Sequence, residues 1–152
     1  TESACRLEMD SARQDISLGE VATGKLAVMG ARGTPVAFEL RLHDCLRGPA
    51  LSRDEPTGAR LWAHDQPAMR VAFNAPADAD NAQLVKAQGV SGMGLRLLDA
   101  HGRDVRLGSR GAPLWLTPGS NVLSYSVMPE RTVASLRAGT YRAVVDFALS
   151  YD

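Results

Sequence analysis

The 152 residues read as a single all-β domain, an antiparallel β-sandwich. Three observations predict this class. Fourteen glycines and eight prolines are spread through the chain and cut it into pieces mostly one or two strands long. Inside those pieces apolar residues recur with a period of two, not 3.6. The pieces show no strand–helix–strand alternation, so a parallel sheet is not expected. No internal repeat, linker or shift in composition marks a second domain, and 1–152 is taken as one unit.

Each strand is legible in turn. Cys5, Leu7 and Met9 face one way, with Arg6, Glu8 and Asp10 opposite. Val36, Phe38, Leu40 and Leu42 alternate with Ala37, Glu39, Arg41 and His43, giving a second half-buried strand. Met69, Val71 and Phe73 repeat the pattern. So do Leu95 and Leu97 around Arg96, Val105 and Leu107 around Arg106, and Leu123, Tyr125 and Val127 around Ser124 and Ser126. The stretch 140–152 puts Tyr141, Ala143, Val145, Phe147, Leu149 and Tyr151 on one face and is expected to be the longest strand. Turn residues separate these pieces at 30–35, 47–49, 54–58, 75–81, 100–103 and 117–120. The apolar residues of 77–88 form no helical stripe, so that segment is read as loop followed by strand.

Charge and composition exclude several function classes. Seventeen Lys and Arg balance seventeen Asp and Glu, with no basic stripe for nucleic acid and no acidic tail. A 45% apolar fraction argues against disorder, while 5% aromatic content supplies few platforms for sugars or bases. No apolar run approaches the roughly 20 residues that cross a bilayer. No charged-then-apolar leader opens the chain, so a soluble, already processed protein is expected.

Cys5 lies on the inward face of the first candidate strand and Cys45 ends the second long one, so a bridge between them would staple neighbouring strands of the sandwich in an oxidising compartment. The alternative is two separately buried free thiols. Closing a loop of about 41 residues should contribute roughly 4 kcal/mol in the chain-entropy model. Cys45 is out of register with the even-numbered face of 36–42, so a bulge or strand end near Asp44 is required.

Taken together these segments resemble one family, the subunits of chaperone–usher pili of the type 1 and P fimbrial kind. The resemblance lies in Ala4-Cys5, Ile16-Ser-Leu-Gly19-Glu-Val21, Phe38-Glu-Leu-Arg-Leu-His-Asp44-Cys45, Met69-Arg-Val-Ala-Phe73 and Gly89-Val90…Leu95-Arg-Leu-Leu-Asp99 followed by His101-Gly102. It is most specific at the end, Gly139-Thr-Tyr141…Phe147-Ala-Leu-Ser-Tyr151-Asp152, with Gly139 fourteenth from the last residue and Tyr151 penultimate. It implies a pilin domain: an incomplete immunoglobulin-like sandwich of six strands, completed by a donor strand supplied in trans. The implied groove lies between the first strand, around Leu7 and Met9, and the last, with Gly139, Tyr141, Ala143, Val145, Phe147, Leu149 and Tyr151. It also implies a structural, non-enzymatic subunit of the extracellular fimbrium, reached through the periplasm. The implied partners are a periplasmic chaperone, an outer-membrane usher and neighbouring subunits, with no cofactor and no nucleic acid.

One feature departs from the family pattern. Only Thr1, Glu2, Ser3 and Ala4 precede Cys5, whereas a donor strand needs roughly ten alternating residues. The expectation is a major or minor subunit without its extension, ahead of the pilin domain of a tip adhesin. A rival of another class is a secreted sandwich that binds carbohydrate through its loops, with Trp62, His64 and Asp65 as the best cluster. Trp115, between Leu114 and Leu116, reads as edge-strand surface or a core partner. His43, His64 and His101 show no metal-ligand spacing, no GxSxG elbow is present, and Gly92-Met-Gly94 lacks the third glycine and helix of a phosphate loop. Close backbone packing or a bulge is the reading for those glycines. Catalytic and metal sites are therefore not expected.

The cysteine reading is checked by intact mass and thiol alkylation of the native protein. No alkylated cysteine is expected before reduction and two after it.

Overall fold

The two longest strands among the described residues pair with each other. In the computed structural model, β2 (Val36–Cys45) and β7 (Gly119–Arg131) run antiparallel, from Val36 opposite Val127 to Leu42 opposite Asn121. The structure describes residues 5–9, 14, 16, 18, 23–45, 68–137 and 139–151. Around the central pair, β1 (Arg6–Leu7), β5 (Met93–Leu98) and β4 (Val85–Lys86) complete a five-stranded sheet in the order β1-β2-β7-β5-β4. A second sheet has the order β6-β3-β8, from β6 (Leu114–Trp115), β3 (Ala68–Asn74) and β8 (Asp146–Tyr151). All six ladders are antiparallel.

The inward residues of both sheets make one core. Leu40, Leu42, Val71, Phe73, Leu95, Leu97, Tyr125 and Val127 are buried in it. The scarce aromatics are concentrated where the sheets meet. All three phenylalanines are here: Phe73 of β3 meets Tyr125 of β7 at 5.0 Å between ring centroids, Phe38 of β2 at 6.5 Å and Phe147 of β8 at 6.2 Å. Edge and tilted ring pairs of this kind add attraction beyond their buried area.

Several expectations are met differently. The first strand does not reach Asp10. Its ladder stops at Leu7, Glu8 donates one more bond to the Arg41 carbonyl at 2.9 Å, and Met9 beyond it is 88% exposed rather than facing inward. The longest strand is β7, of 13 residues, not the final one. It continues through Pro129 because the imide nitrogen needs no partner there and the Pro129 carbonyl accepts from Gly33 N–H at 2.8 Å. Residues 105–107 form no strand. After the turn capped by Asp99, the Val105 amide donates to the Leu97 carbonyl at 3.0 Å, and the chain then leaves for the other sheet. The 77–88 segment turns and enters β4, and the short β1, β4 and β6 raise the number of strand segments among the described residues to eight. Trp115 sits on edge strand β6 and is 60% exposed.

The bulge that the cysteines require lies where the register demands it. Between Leu42 opposite Asn121 and Cys45 opposite Gly119, β2 carries one residue more than β7. Asp44 absorbs it at φ 55°, the left-handed conformation that aspartate tolerates better than most residues. This turns Cys45 inward beside Leu40 and Leu42, where its sulfur is bonded to that of Cys5, with Cα atoms 4.1 Å apart.

Gly92 and Gly94 serve packing, as their spacing suggests. A Cβ on Gly92, at φ +81°, would lie 2.6 Å from the Leu136 Cα, and one on Gly94 would lie 2.8 Å from the Leu84 Cβ.

An ion cluster that no motif announces is built on the outer side of β5 and β7. Arg96 grips Glu130 with two bonds, Nε to Oε1 at 2.6 Å and Nη2 to Oε2 at 2.9 Å, and both residues are buried. Arg96 Nη1 also donates to Asp104 at 2.6 Å, and Arg32 Nε donates to Glu130 Oε1 at 2.9 Å. These bonds tie the 31–33 segment and the turn before 104 onto the sheet. The hydrogen bonds that Arg96 donates to Glu130 head the causes that raise the pKa of its guanidinium, so it stays charged. Burial pushes the Glu130 carboxyl up, but the bonds and charges of Arg96 and Arg32 outweigh it and hold the group below its ordinary 4.5.

A depressed carboxylate contributes stability that is present above its unfolded-state value and is lost as pH falls through the lower folded one. Denaturant unfolding should therefore show a plateau above about pH 5 and a decline below the ordinary 4.5. Glu130→Ala, which leaves the buried Arg96 with Asp104 alone, should cost about 3 kcal/mol and flatten that acid decline.

Candidate functional site

A strand has two hydrogen-bonding edges, and among the described residues β8 uses one. Met69 through Asn74 of β3 pair with Tyr151 through Asp146 of β8, and no described strand lies on the other side. The burial of the preceding segment alternates in the same way. Tyr141, Ala143, Val145, Phe147 and Leu149 are half-buried against the core, while Arg142, Val144, Asp146 and Ala148 between them are exposed. The alternating face is thus longer than the ladder, because 139–145 lies outside it; Arg142 instead exchanges backbone bonds with Gln88, at 2.7 and 2.9 Å.

The flank on which this open edge lies follows from the crossing at 104–115. That segment bonds first to β5, with Val105 to Leu97 at 3.0 Å, then to β3, with Gly108 N–H to the Phe73 carbonyl at 2.8 Å and Leu114 opposite Met69. It joins the β5–β4 side of one sheet to the β3–β6 side of the other. By strand order, β8 and β1 then lie together on the remaining flank. Leu7 on β1 is half-buried and packed on the core, and the bridge from Cys5 to Cys45 ties that strand to β2.

Of the residues singled out in the sequence, Leu7, Tyr141, Ala143, Val145, Phe147 and Leu149 share this flank of the core, and Tyr151 stands opposite Met69 at the end of the ladder. Met9 does not join them. A Cβ at Gly139 would meet only the Gly89 carbonyl oxygen at 3.6 Å and Val90 Cγ1 at 3.8 Å, so nothing within the described chain requires glycine there. Trp62, His64 and Asp65, like Gly19 and Val21 of the second motif, lie outside the described residues. His43 Nδ1 faces Asp44 Oδ2 at 3.2 Å, and His101 is exposed on its turn.

Two features of the structure escape a reading by pattern. The Tyr141 hydroxyl is buried without a hydrogen-bond partner among the described residues, and burial raises its pKa above the usual 10. The crossing at 104–115 is the second. Its only trace in the sequence is Val105 and Leu107, two alternating apolar residues read as a strand.

This arrangement is that of a pilin-type domain, an immunoglobulin-like sandwich in which one edge of β8 has no partner among the described strands, and its fold is found in solved pilus proteins. The crystal structure of the P pilus rod subunit PapA superposes with a TM-score of 0.80 over 99% of this chain and 100% of that one, at 23% identity. A chaperone–usher pilus structure describing rod uncoiling gives a TM-score of 0.79 over 100% and 90%, again at 23% identity. A model of the fimbrial protein family matches residues 1–152, and the chain belongs to that family. Among curated relatives, the probable major fimbrial subunit LpfA of Escherichia coli O157:H7 is 29% identical over 99% of this chain and 78% of its own length. The protein is accordingly a structural, non-enzymatic pilus subunit with an extracellular place of work.

Proposed function

We propose that the domain accepts a β-strand from another polypeptide along the open edge of β8, with β1 as the opposite wall. A periplasmic chaperone supplies that strand during secretion, an outer-membrane usher handles the complex, and a neighbouring subunit's N-terminal extension takes the place in the fibre. The observation that carries this reading is the alternation of half-buried and exposed residues over 141–149 beside an edge with no described partner. An incoming strand would satisfy the free backbone groups and cover the half-buried row. Each large apolar side chain fully buried contributes roughly 1.5–3 kcal/mol, so a few pockets would rival the net stability of a domain. The unpartnered Tyr141 hydroxyl would gain access to the donor's polar groups.

Thermal unfolding of the chain with and without a synthetic donor peptide of roughly ten residues, alternating aliphatic and polar, tests this directly. A rise in midpoint with peptide is expected. Phe147→Asp places a charge in the row and should abolish co-purification with a periplasmic chaperone, whereas Arg142→Glu, on the exposed face, should leave it intact. A chain that unfolds cooperatively at high temperature, gains nothing from peptide and tolerates Phe147→Asp is complete by itself, and strand acceptance is then wrong.

A further inference from the structure

Among the described residues three buried side-chain polar atoms have no hydrogen-bond partner: Arg131 Nε, Thr132 Oγ1 and the Tyr141 hydroxyl. Arg131 spends its other nitrogens on the Leu26 and Ala134 carbonyls, at 2.7 and 3.4 Å. Thr132 follows β7, and its amide donates to the Gly92 carbonyl at 2.9 Å. Of the three, Tyr141 is the one that belongs to the half-buried row beside the open edge of β8.

The backbone that carries Tyr141 is fixed. Arg142 N–H donates to the Gln88 carbonyl at 2.9 Å and Gln88 N–H to the Arg142 carbonyl at 2.7 Å. Ser91 and Arg137 exchange the same pair of bonds at 3.4 and 3.0 Å, and Ser91 Oγ donates to the Ser135 carbonyl at 3.0 Å. A Cβ on Gly89, at φ +100°, would lie 2.5 Å from the Thr140 carbonyl oxygen, so the two segments touch with no side chain between them. Farther along the row, Ala143, Val145, Phe147 and Leu149 carry no polar side-chain atom. The described chain thus leaves the hydroxyl unpaired, and a buried hydroxyl without a partner costs stability until one arrives.

A donor strand brings a partner of one kind. Its N–H and C=O groups lie along the sheet and are taken by the β8 edge, whereas alternate side chains point into the core. We propose that the Tyr141 hydroxyl selects a donor whose inward residue level with it carries a side-chain hydroxyl or amide, and that this pairing fixes the donor's register. The inference rests on the strand-acceptance reading and adds a rule of selection to it. A slip of two residues puts the donor's polar side chain against the apolar part of the row and an apolar one against the hydroxyl, so both polar groups are unpaired; a slip of one turns the wrong face inward. Apolar contacts alone discriminate weakly between registers, because each accepts a side chain of about the right size.

Donor peptides of roughly ten residues with valine at every inward position test the rule, each inward position in turn carrying threonine, which keeps the shape of valine and adds a hydroxyl. Binding to the unaltered chain should weaken by about tenfold or more for threonine at the inner positions and should not weaken at one terminal inward position, the one level with Tyr141. Against Tyr141→Phe the all-valine peptide should bind as tightly as before or more so, and threonine at that terminal position should now weaken binding by about tenfold. The free Tyr141→Phe chain should unfold at the same temperature as the unaltered chain or higher, since the substitution removes only the unpaired hydroxyl. Threonine refused at every inward position, threonine accepted at the terminal one against Tyr141→Phe as well, or a lowered unfolding temperature of that variant overturns the role of the hydroxyl and leaves strand acceptance standing. Peptides that bind in no form overturn strand acceptance and this inference together.

Discussion

The backbone edge of β8 is the constraint on which the rest of the domain turns. A strand without a neighbour on one edge presents a row of unpaired N–H and C=O groups, and β8 has a described neighbour only in β3. Among the described residues the second sheet holds three strands against five, and the row at 141–149 is half-buried. An exposed edge of this length is an aggregation hazard in a protein that works alone. The strand acceptance proposed above would turn the same edge into a joint between the subunits of a fimbrium.

Other contacts hold the described strands together. The aromatic contacts from Phe147 through Phe73 to Phe38 and Tyr125 run from the open strand into the middle of the five-stranded sheet. The bridge from Cys5 to Cys45 secures β1, whose two-residue ladder could not hold alone. On the far side of the five-stranded sheet, Arg96 and Glu130 fasten the segments of Arg32 and Asp104. Buried ion pairs of this kind add little net stability over apolar packing, but removing one partner is costly, so they fix which segment lies where.

The same distribution of order fits a structural role better than a chemical one. Polar groups are spent on turns and on the Arg96 cluster, while the open flank is almost wholly apolar. Among the described residues, the Tyr141 hydroxyl is a buried polar atom on it without a partner. Alternating apolar side chains beside unpaired backbone are the features that the proposed strand addition would use.

By itself the sequence determined what depends on local alternation. The strands of 36–42, 69–73, 95–97 and 123–127, the apolar row of 141–149, and the need for a bulge before Cys45 all follow from a period of two and one residue out of step. It went wrong where alternation continues but pairing does not. Met9 keeps the pattern of Cys5 and Leu7 yet stands exposed, because the ladder to β2 has ended, and Val105 and Leu107 alternate in a segment that is crossing between sheets. Only the tertiary structure decided that Arg96, an outward charge by pattern, is buried on Glu130, and that β8 and β1 share a flank closed by no other described strand. Periodicity specifies which face a residue takes within its own strand. Which edge meets which, and which edge meets nothing, depends on contacts between residues such as Val105 and Leu97 or Gly108 and Phe73, whose backbone bonds leave no mark on side-chain identity.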